Sequence, residues 1–273
     1  MFTLHYKQKQ FTITTPVVMG ILNATPDSFY AESRKQTIDD ALYITEKMLN
    51  DGATFIDIGG QSTRPTSEII SVDEELKRVI PIIESIITRF PEAKTSIDTF
   101  NAKVAKYAVE AGAMMVNDIG GGTLDRSMFE TVAKLEVPYI CMHIKGTPQT
   151  MQQHTNYSNI VEEVKEYFIA KIEAGKQLGL NQIILDIGFG FAKTPEQNFE
   201  LVKHLKEFTT LKKALLLGVS RKSSIYKTLG ITAQEALNGT TVLNTIGILN
   251  GANILRVHDV KEAVEVIKLS QYF

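Results

Sequence analysis

Cysteine is almost missing from this chain: Cys141 stands alone, so no intrachain disulfide and no multi-cysteine metal site can form. It lies in the apolar run Tyr139-Ile140-Cys141-Met142, which reads as a buried thiol rather than a nucleophile. The five histidines never form an H-x-x-x-H or H-E-x-x-H pattern, which argues against zinc. No stretch reaches 18 apolar residues, and residues 1–11 carry no signal-peptide core, so the expectation is a cytoplasmic protein that does not meet a membrane. Charge of one sign is lacking too: 29 Lys and Arg against 31 Asp and Glu leave a net −2, with no basic stripe to hold nucleic acid. No linker rich in Pro, Gly or Ser divides the sequence, so residues 1–273 read as one domain.

What is present is a repeat of buried strand and amphipathic helix. Residues 2–6 and 10–14 alternate around Lys7-Gln8-Lys9 and predict an N-terminal hairpin within residues 1–15, ahead of a barrel over 16–273. Continuous apolar runs predict strands near 17–22, 54–58, 94–98, 114–118, 137–142, 182–187, 214–219 and 253–257. Apolar spacing of three and four predicts helices near 37–51, 71–89, 101–111, 126–135, 158–178, 196–207 and 233–250, with a last one after Val260. Thr37 reads as a helix N-cap, Ser71-Val72-Asp73-Glu74 as a capping box, and Thr194-Pro195 as a cap followed by proline at the first helical position. Gly52, Gly112 and Gly179 fall where helices end. Eight strands alternating with eight helices in 273 residues predict an α/β fold, a (β/α)8 TIM barrel. An open doubly wound sheet is the alternative, but the first strand–helix turn carries no G-x-G-x-x-G. The stretches 23–36 and 59–70 are long for loops of this kind, which marks them as functional.

The strand ends are polar almost without exception: Asn23, Asp57, Asp98, Asn117-Asp118, Met142-His143, Asp186, Gly218-Ser220-Arg221-Lys222 and Arg256-His258. In a barrel these ends form one ring, and so many carboxylates, amides and cations together point to a shared site. Arg256 and His258 lie two apart on a strand and share a face; with Asn23 and the N–H groups near Ser220 to Ser223 they suit an oxyanion such as phosphate. Asn23 can also offer a neutral oxygen to Mg²⁺, which shares its shell with substrate phosphates and water. Asp98, Asn117 and Asp186 make a centre rich in acceptors, fit for a ligand with several N–H donors such as an aminopyrimidinone. Lys222 can donate to such a ring, contact a phosphate, or act as a Schiff-base nucleophile. Asp57 reads equally as a loop anchor or a direct participant, His143 as a packed residue or a ligand, and Asp118 and Asp259 as helix caps. Gly239 and Gly247 mark close packing of the 233–250 helix.

These motifs resemble those of the dihydropteroate synthases. Gly20-Ile21-Leu22-Asn23-Ala24-Thr25-Pro26-Asp27-Ser28-Phe29 is similar to the family's first signature, and Gly52-Ala53 through Asp57-Ile58-Gly59-Gly60-Gln61-Ser62-Thr63-Arg64-Pro65 to its second. Ser96-Ile97-Asp98-Thr99, Asn117-Asp118-Ile119, residues 186–193, Ser220-Arg221-Lys222-Ser223 and Arg256-Val257-His258-Asp259 continue the match in order. Departures fall at Tyr30-Ala31-Glu32-Ser33, at Gln61 where Glu is usual, at Ile187 where Pro is common, and at Thr66-Ser67-Glu68, which lacks the usual Gly. The resemblance implies condensation of 6-hydroxymethyl-7,8-dihydropterin pyrophosphate with p-aminobenzoate, giving 7,8-dihydropteroate and pyrophosphate. It implies a pterin pocket of Asp98, Asn117, Met142, Asp186, Phe191, Gly218, Lys222 and Arg256. It places p-aminobenzoate against Phe29, Thr63, Arg64, Pro65, Ser220 and Lys222, and pyrophosphate with Mg²⁺ against Asn23, Thr63, Arg64, Arg256 and His258. It also implies small-molecule partners only and a homodimer formed through late helices. A corrinoid methyltransferase barrel, a pterin-binding paralogue without synthesis and a Schiff-base aldolase are the rival readings.

Overall fold

The structure, a computed structural model, describes residues 1–7, 9–24, 34–62 and 67–273. Eight parallel strands close into a barrel: β3 (Val17–Asn23), β4 (Phe55–Gly59), β5 (Lys94–Asp98), β6 (Met115–Asp118), β7 (Tyr139–Met142), β8 (Ile183–Asp186), β9 (Leu215–Leu217) and β10 (Ile254–Val257). Closure runs through β10, which pairs with β3 (Ile254 opposite Val17) and with β9, so the open sheet is set aside. The first two strands, β1 (Phe2–Tyr6) and β2 (Lys9–Ile13), form a separate antiparallel hairpin.

The two-residue period of the strands explains both the core and the site. Outward residues such as Val18, Leu22, Ile56, Ile58, Ile97, Val116, Leu185 and Leu255 pack against the surrounding helices. The first inward layer, Met19, Phe55, Met115, Ile140, Ile184, Leu216 and Ile254, joins Leu4 and Ile13 of the hairpin in a separate apolar cluster. The hairpin therefore plugs the N-terminal mouth, helped by Gln182, whose amide bonds the backbone N–H and C=O of His5 at 2.6 and 3.1 Å. Two residues further along the same inward face come Asp57, Asn117, Met142, Asp186, Gly218 and Arg256, so the barrel is apolar at its sealed end and polar at its open end.

Helices α1 (Arg34–Asn50), α2 (Val72–Arg89), α3 (Ala102–Glu110), α4 (Met128–Leu135), α5 (Ile160–Gln177), α6 (Pro195–Lys203), α7 (Ser223–Leu229), α8 (Leu237–Leu249) and α9 (Val260–Ser270) follow the barrel strands in turn, one after each except β9, which is followed by both α7 and α8. Helix α1 starts a turn before Thr37, which is thus inside the helix and not its cap. At α2, Ser71 accepts the Glu74 N–H, but Glu74 turns its carboxylate to Arg78 (3.0 Å), so only half of the expected box forms. The reciprocal box is at α6, between Thr194 and Gln197, with Pro195 at the first position as expected. Gly52, Gly112 and Gly179 all take positive φ at helix ends. Helix α6 stops at Lys203 and a 3₁₀ segment, Leu205–Leu211, follows where one helix to 207 was expected. On α8, a Cβ at Gly239 would collide with Ile225 and one at Gly247 with Leu217, so both glycines permit close packing. Among the described residues, no helix is long and apolar enough to cross a membrane.

Candidate active site

A charged network crosses the open mouth. Arg256, inward on β10, donates from Nε to Asp57 Oδ2 at 2.6 Å and from Nη2 to Asp98 Oδ2 at 2.5 Å. Gly59 lies opposite Asp98 in the β4–β5 register, which puts Asp98 one inward layer above Asp57; the guanidinium spans the two layers. Asn117 donates to the same Asp57 oxygen at 2.8 Å, leaving its own amide oxygen uncommitted. Asp57 is fully buried and its Oδ1 has no partner, so it anchors Arg256 and Asn117 from below. One guanidinium against two carboxylates leaves the trio negative. Burial, reinforced by Asp57, Glu75 and Asp118, outweighs the Arg256 charge and raises the Asp98 carboxyl to about 7. Arg256 is held above its usual range because both carboxylates favour its charge over the penalty of burial.

The opposite wall joins β8 to the loop after it. Asp186, 6% exposed, accepts the Gly188 N–H at 2.8 Å; burial raises its pKa while Lys222 works against that shift. Lys222 donates to the Phe189 carbonyl at 2.5 Å and lies 4.6 Å from the centre of the Phe191 ring. Burial lowers its ammonium to about 8, with Asp186 opposing and Arg256 assisting. Met142 and Phe191 belong to one small apolar cluster with Ile119, Ile144 and Met151 beside this wall. The two glycines here clear protein neighbours: a Cβ at Gly188 would collide with the His143 carbonyl, and one at Gly190 would crowd the Lys222 stem at 3.2 Å. Gly218 is different, because a Cβ there would make only ordinary contacts, with Arg256 at 3.8 Å and with Asp186 and Leu216 at 3.9 Å, leaving floor for a flat ligand.

His258 and Ser220 form a third group. The Ser220 hydroxyl accepts the His258 backbone N–H at 3.2 Å and lies 3.1 Å from Nδ1. When the hydroxyl turns its proton to Nδ1, a neutral ring carries its own proton on Nε2. Burial, followed by the charge of Arg256, lowers His258 to about 4, so near neutral pH it is an uncharged donor. Arg256 and His258 share a face, yet their heads part: the guanidinium goes to the carboxylates and the imidazole to Ser220. Asn23 is exposed at the end of β3 and Ser220 is buried.

The family described as "Pterin binding enzyme" matches residues 19–258. A dihydropteroate synthase from Synechocystis sp. (strain ATCC 27184 / PCC 6803 / Kazusa) is 44% identical over 256 residues, spanning 93% of this chain and 88% of that one. The chain belongs to the dihydropteroate synthase family. Its transferases act in folate biosynthesis. A Yersinia pestis dihydropteroate synthase solved with a sulfonamide drug is 37% identical, with a TM-score of 0.92 over 99% of this chain and 98% of that one. A Xanthomonas albilineans dihydropteroate synthase solved with 7,8-dihydropteroate is 33% identical, with a TM-score of 0.88 over 99% of this chain and 98% of that one. The relatives favour the synthase over the methyltransferase and aldolase readings.

Within this synthase fold, Phe29, Thr63, Arg64 and Pro65 lie outside the described residues. Asn23, Asp98, Asn117, Met142, Asp186, Phe191, Gly218, Ser220, Lys222, Arg256 and His258 all come from the C-terminal ends of the strands or the turns that follow them. Asp118 and Asp259 have other work. Asp118 accepts from Gly120 N, Gly122 N and Tyr139 Oη at 2.7, 2.8 and 2.6 Å, shaping a turn rather than capping a helix. Asp259 stands at the N-cap position of α9 but gives both oxygens to Arg221, at 2.8 and 2.9 Å. His143 is packed: its ring meets Tyr167 edge to face, and Nδ1 lies 2.9 Å from Lys193 Nζ. Lys193 enters the sequence reading only within the 186–193 stretch. Its buried amine bonds the Gly188 and Phe191 carbonyls at 3.0 and 2.9 Å and so ties down the loop that holds Lys222. A lysine ending an apolar run just before Thr194-Pro195 was the available signal. For a metal, no group of three or more His, Cys, Asp or Glu converges among the described residues. Asn23, an exposed neutral oxygen donor, fits an ion that takes most of its ligands from a diphosphate and water.

Proposed function

We propose that this site joins 6-hydroxymethyl-7,8-dihydropterin pyrophosphate to p-aminobenzoate by a dissociative substitution, with each wall of the barrel mouth in a separate role. The observation that carries the reading is the excess of buried carboxylate. Asp57, Asp98 and Asp186 face Arg256 and Lys222, three negative groups against two positive, on the inner face of one barrel mouth.

Asp186 and Asn117 present acceptors to the amino and ring N–H groups of the pterin, Lys222 donates to its carbonyl or ring nitrogen, and Met142 and Phe191 cover its face above Gly218. The C–O bond to diphosphate breaks first, its electron pair leaving with the diphosphate. The dihydropterin spreads the positive charge left on its exocyclic carbon, and Asp98, ionised, favours that charge. The amine, already neutral near pH 7, adds its lone pair to the carbon and then gives up a proton to solvent or diphosphate. His258, neutral and donating through Nε2, and Asn23 receive the departing diphosphate; Arg256 is near enough to turn towards it once substrate competes for Asp98. When bound, Mg²⁺ held by Asn23 would neutralise part of the diphosphate charge. Thr63 and Arg64 would add to the diphosphate contacts, and Phe29, Pro65 and Ser220 to the amine site.

The decisive measurement follows pyrophosphate release and dihydropteroate formation from the pterin pyrophosphate and Mg²⁺, with and without p-aminobenzoate. Failure to form dihydropteroate under any condition would leave a paralogue that only binds pterins. Asp98→Asn should lower kcat by about a hundredfold while pterin affinity changes by less than about tenfold, because the charge matters most as the cation forms. In the unsubstituted enzyme, acidification protonates Asp98 in the ligand-free site, so log kcat/KM should fall with unit slope below about 7. That limb should vanish in Asp98→Asn; equal losses in kcat and affinity would make Asp98 a binding group only.

The same reading assigns the protein to the cytosol as a homodimer. Val242, Ile246 and Leu249 line one face of α8 and are 50%, 38% and 55% exposed, an apolar stripe beside a groove of about 890 Å³ between α8 and α9. Sedimentation should show a dimer at micromolar concentration and a folded monomer for Ile246→Lys. A monomer in both would sink the assignment.

A further inference from the structure

Residues 187–194 join β8 to α6, and Gly188, Gly190 and Ala192 among them take positive φ of 66°, 86° and 53°. Ala192 holds its left-handed conformation in spite of a Cβ, so the surroundings must keep it there. Two fixings are side-chain bonds to the loop backbone: Asn198 Oδ1 accepts the Gly190 N–H at 2.7 Å, and Tyr157 Oη donates to the Ala192 carbonyl at 3.0 Å. The remaining carbonyls go to two different lysines. Those of Gly188 and Phe191 accept from Lys193 Nζ at 3.0 and 2.9 Å, and that of Phe189 accepts from Lys222 Nζ at 2.5 Å.

Lys193 is buried, and its third close neighbour is His143 Nδ1 at 2.9 Å. His143 is itself laced to β8, its N–H donating to the Asp186 carbonyl at 2.9 Å. The amine therefore ties the loop to the ends of β7 and β8. Either protonation state serves both carbonyls: an ammonium donates its third bond to Nδ1, and a neutral amine accepts from a protonated Nδ1. The two groups that meet Lys222 are the Phe189 carbonyl and the Phe191 ring, 4.6 Å from its amine. Both belong to the turn whose first and last carbonyls Lys193 grips. No role in the reaction proposed above uses Lys193.

We propose that Lys193 is a positioning residue for Lys222: by holding the Gly188 and Phe191 carbonyls it presents the Phe189 carbonyl and the Phe191 ring to the Lys222 amine, and so aims that amine at the pterin. This rests on the reading of Lys222 as a donor to the pterin.

The test uses Lys193→Met, Lys222→Met, the double variant and Tyr157→Phe in the full chain, each titrated calorimetrically with the pterin pyrophosphate. Lys222→Met should weaken binding about 10–100-fold, the effect of one charge-assisted hydrogen bond. Lys193→Met should weaken it about tenfold alone and less than about twofold when added to Lys222→Met, because the two lysines act as one unit. A second readout needs no ligand. In protein labelled with ¹³C-lysine, the ring current of Phe191 displaces the Lys222 ε-CH₂ signal, which is identified by its loss in Lys222→Met. That signal should move towards the position of free lysine in Lys193→Met. Lys193→Gln keeps an N–H donor at the same place, should fall between Lys193→Met and the unsubstituted enzyme in both readouts, and carries the same cycle where Lys193→Met does not fold. Tyr157→Phe removes a different bond to the same loop, so it should lower Tm while leaving pterin affinity within about twofold and the Lys222 signal in place. Losses that multiply in the double variant, or a Lys222 signal unmoved by either Lys193 substitution, overturn the proposal. So does an equal loss of affinity in Tyr157→Phe, which would make Lys193 one structural support among others. Undiminished affinity in Lys222→Met instead removes Lys222 from pterin recognition, and the proposal falls with that reading.

Discussion

Arg256→Met should destabilise the fold by about 3–5 kcal/mol and lower turnover by about 10²–10³-fold. The substitution keeps most of the side-chain volume and removes the single cation that faces both Asp57 and Asp98. Asp57 is fully buried, and its Oδ1 already lacks a partner, so it cannot recruit a replacement donor. Asp98 can respond by protonation. Its pKa already stands above the ordinary carboxyl value, and loss of Arg256 removes the largest influence holding it down. A group whose folded pKa is raised favours the fold at low pH and loses that contribution as pH rises through the folded value. The difference in Tm between the variant and the unsubstituted enzyme should therefore be large at alkaline pH, where Asp98 is ionised in both, and narrow as the pH falls towards about 7, the Asp98 value before the cation is removed, with no further change below it. Adding Asp98→Asn should recover part of the stability and none of the turnover. Arg256→Lys should fall between, because a point charge cannot reach two carboxylates in different layers as a planar fork does. Thermal unfolding at several pH values and steady-state kinetics decide the matter. Equal stability of Arg256→Met and the unsubstituted enzyme at every pH would mean that the network is not paired as described.

Most of the barrel was legible in the sequence because its strands are buried on both faces. The observed strands, such as Phe55–Gly59 against an expected 54–58, lie within two residues of the apolar runs. What escaped was short or depended on distant partners. Helix α7 has seven residues, too few for the three-and-four spacing to repeat. The polar ring was visible as strand ends, but not how its members pair. Arg256 meets Asp57 across 199 residues of sequence and Asp98 across 158, and no local pattern decides whether a guanidinium turns to a carboxylate or an anion. The same holds for Asp259, which has the position of a cap and spends its charge on Arg221, 38 residues away. No local pattern says what the glycines after Asp186 make room for. The neighbours they clear, the His143 carbonyl and the Lys222 stem, come from other strand ends.

Asp186→Asn should reduce affinity for the pterin pyrophosphate by about 10²–10³-fold, the value of a charge-assisted pair of hydrogen bonds, with little change in Tm. The stability argument is local. An asparagine oxygen can still accept the Gly188 N–H that Asp186 Oδ1 accepts at 2.8 Å, so the turn after β8 keeps its bond. Neutralising a buried carboxylate also removes a desolvation penalty, which offsets the lost attraction to Lys222. The binding argument is different, because an amide offers one acceptor where a carboxylate offers two. The amide's N–H₂ then faces the ligand's own donors, a repulsion that no rotation removes. A second readout comes from Lys222. Asp186 is the main influence that holds the Lys222 pKa up against burial, so its loss should move Lys222 below the present value of about 8. The alkaline limb of kcat/KM for the pterin substrate should accordingly shift to lower pH in the variant. Calorimetric titration with the pterin pyrophosphate, without amine, gives the affinity, and the pH profile gives the lysine. Near-native affinity in Asp186→Asn would move pterin recognition from this wall to Asp98 and Asn117.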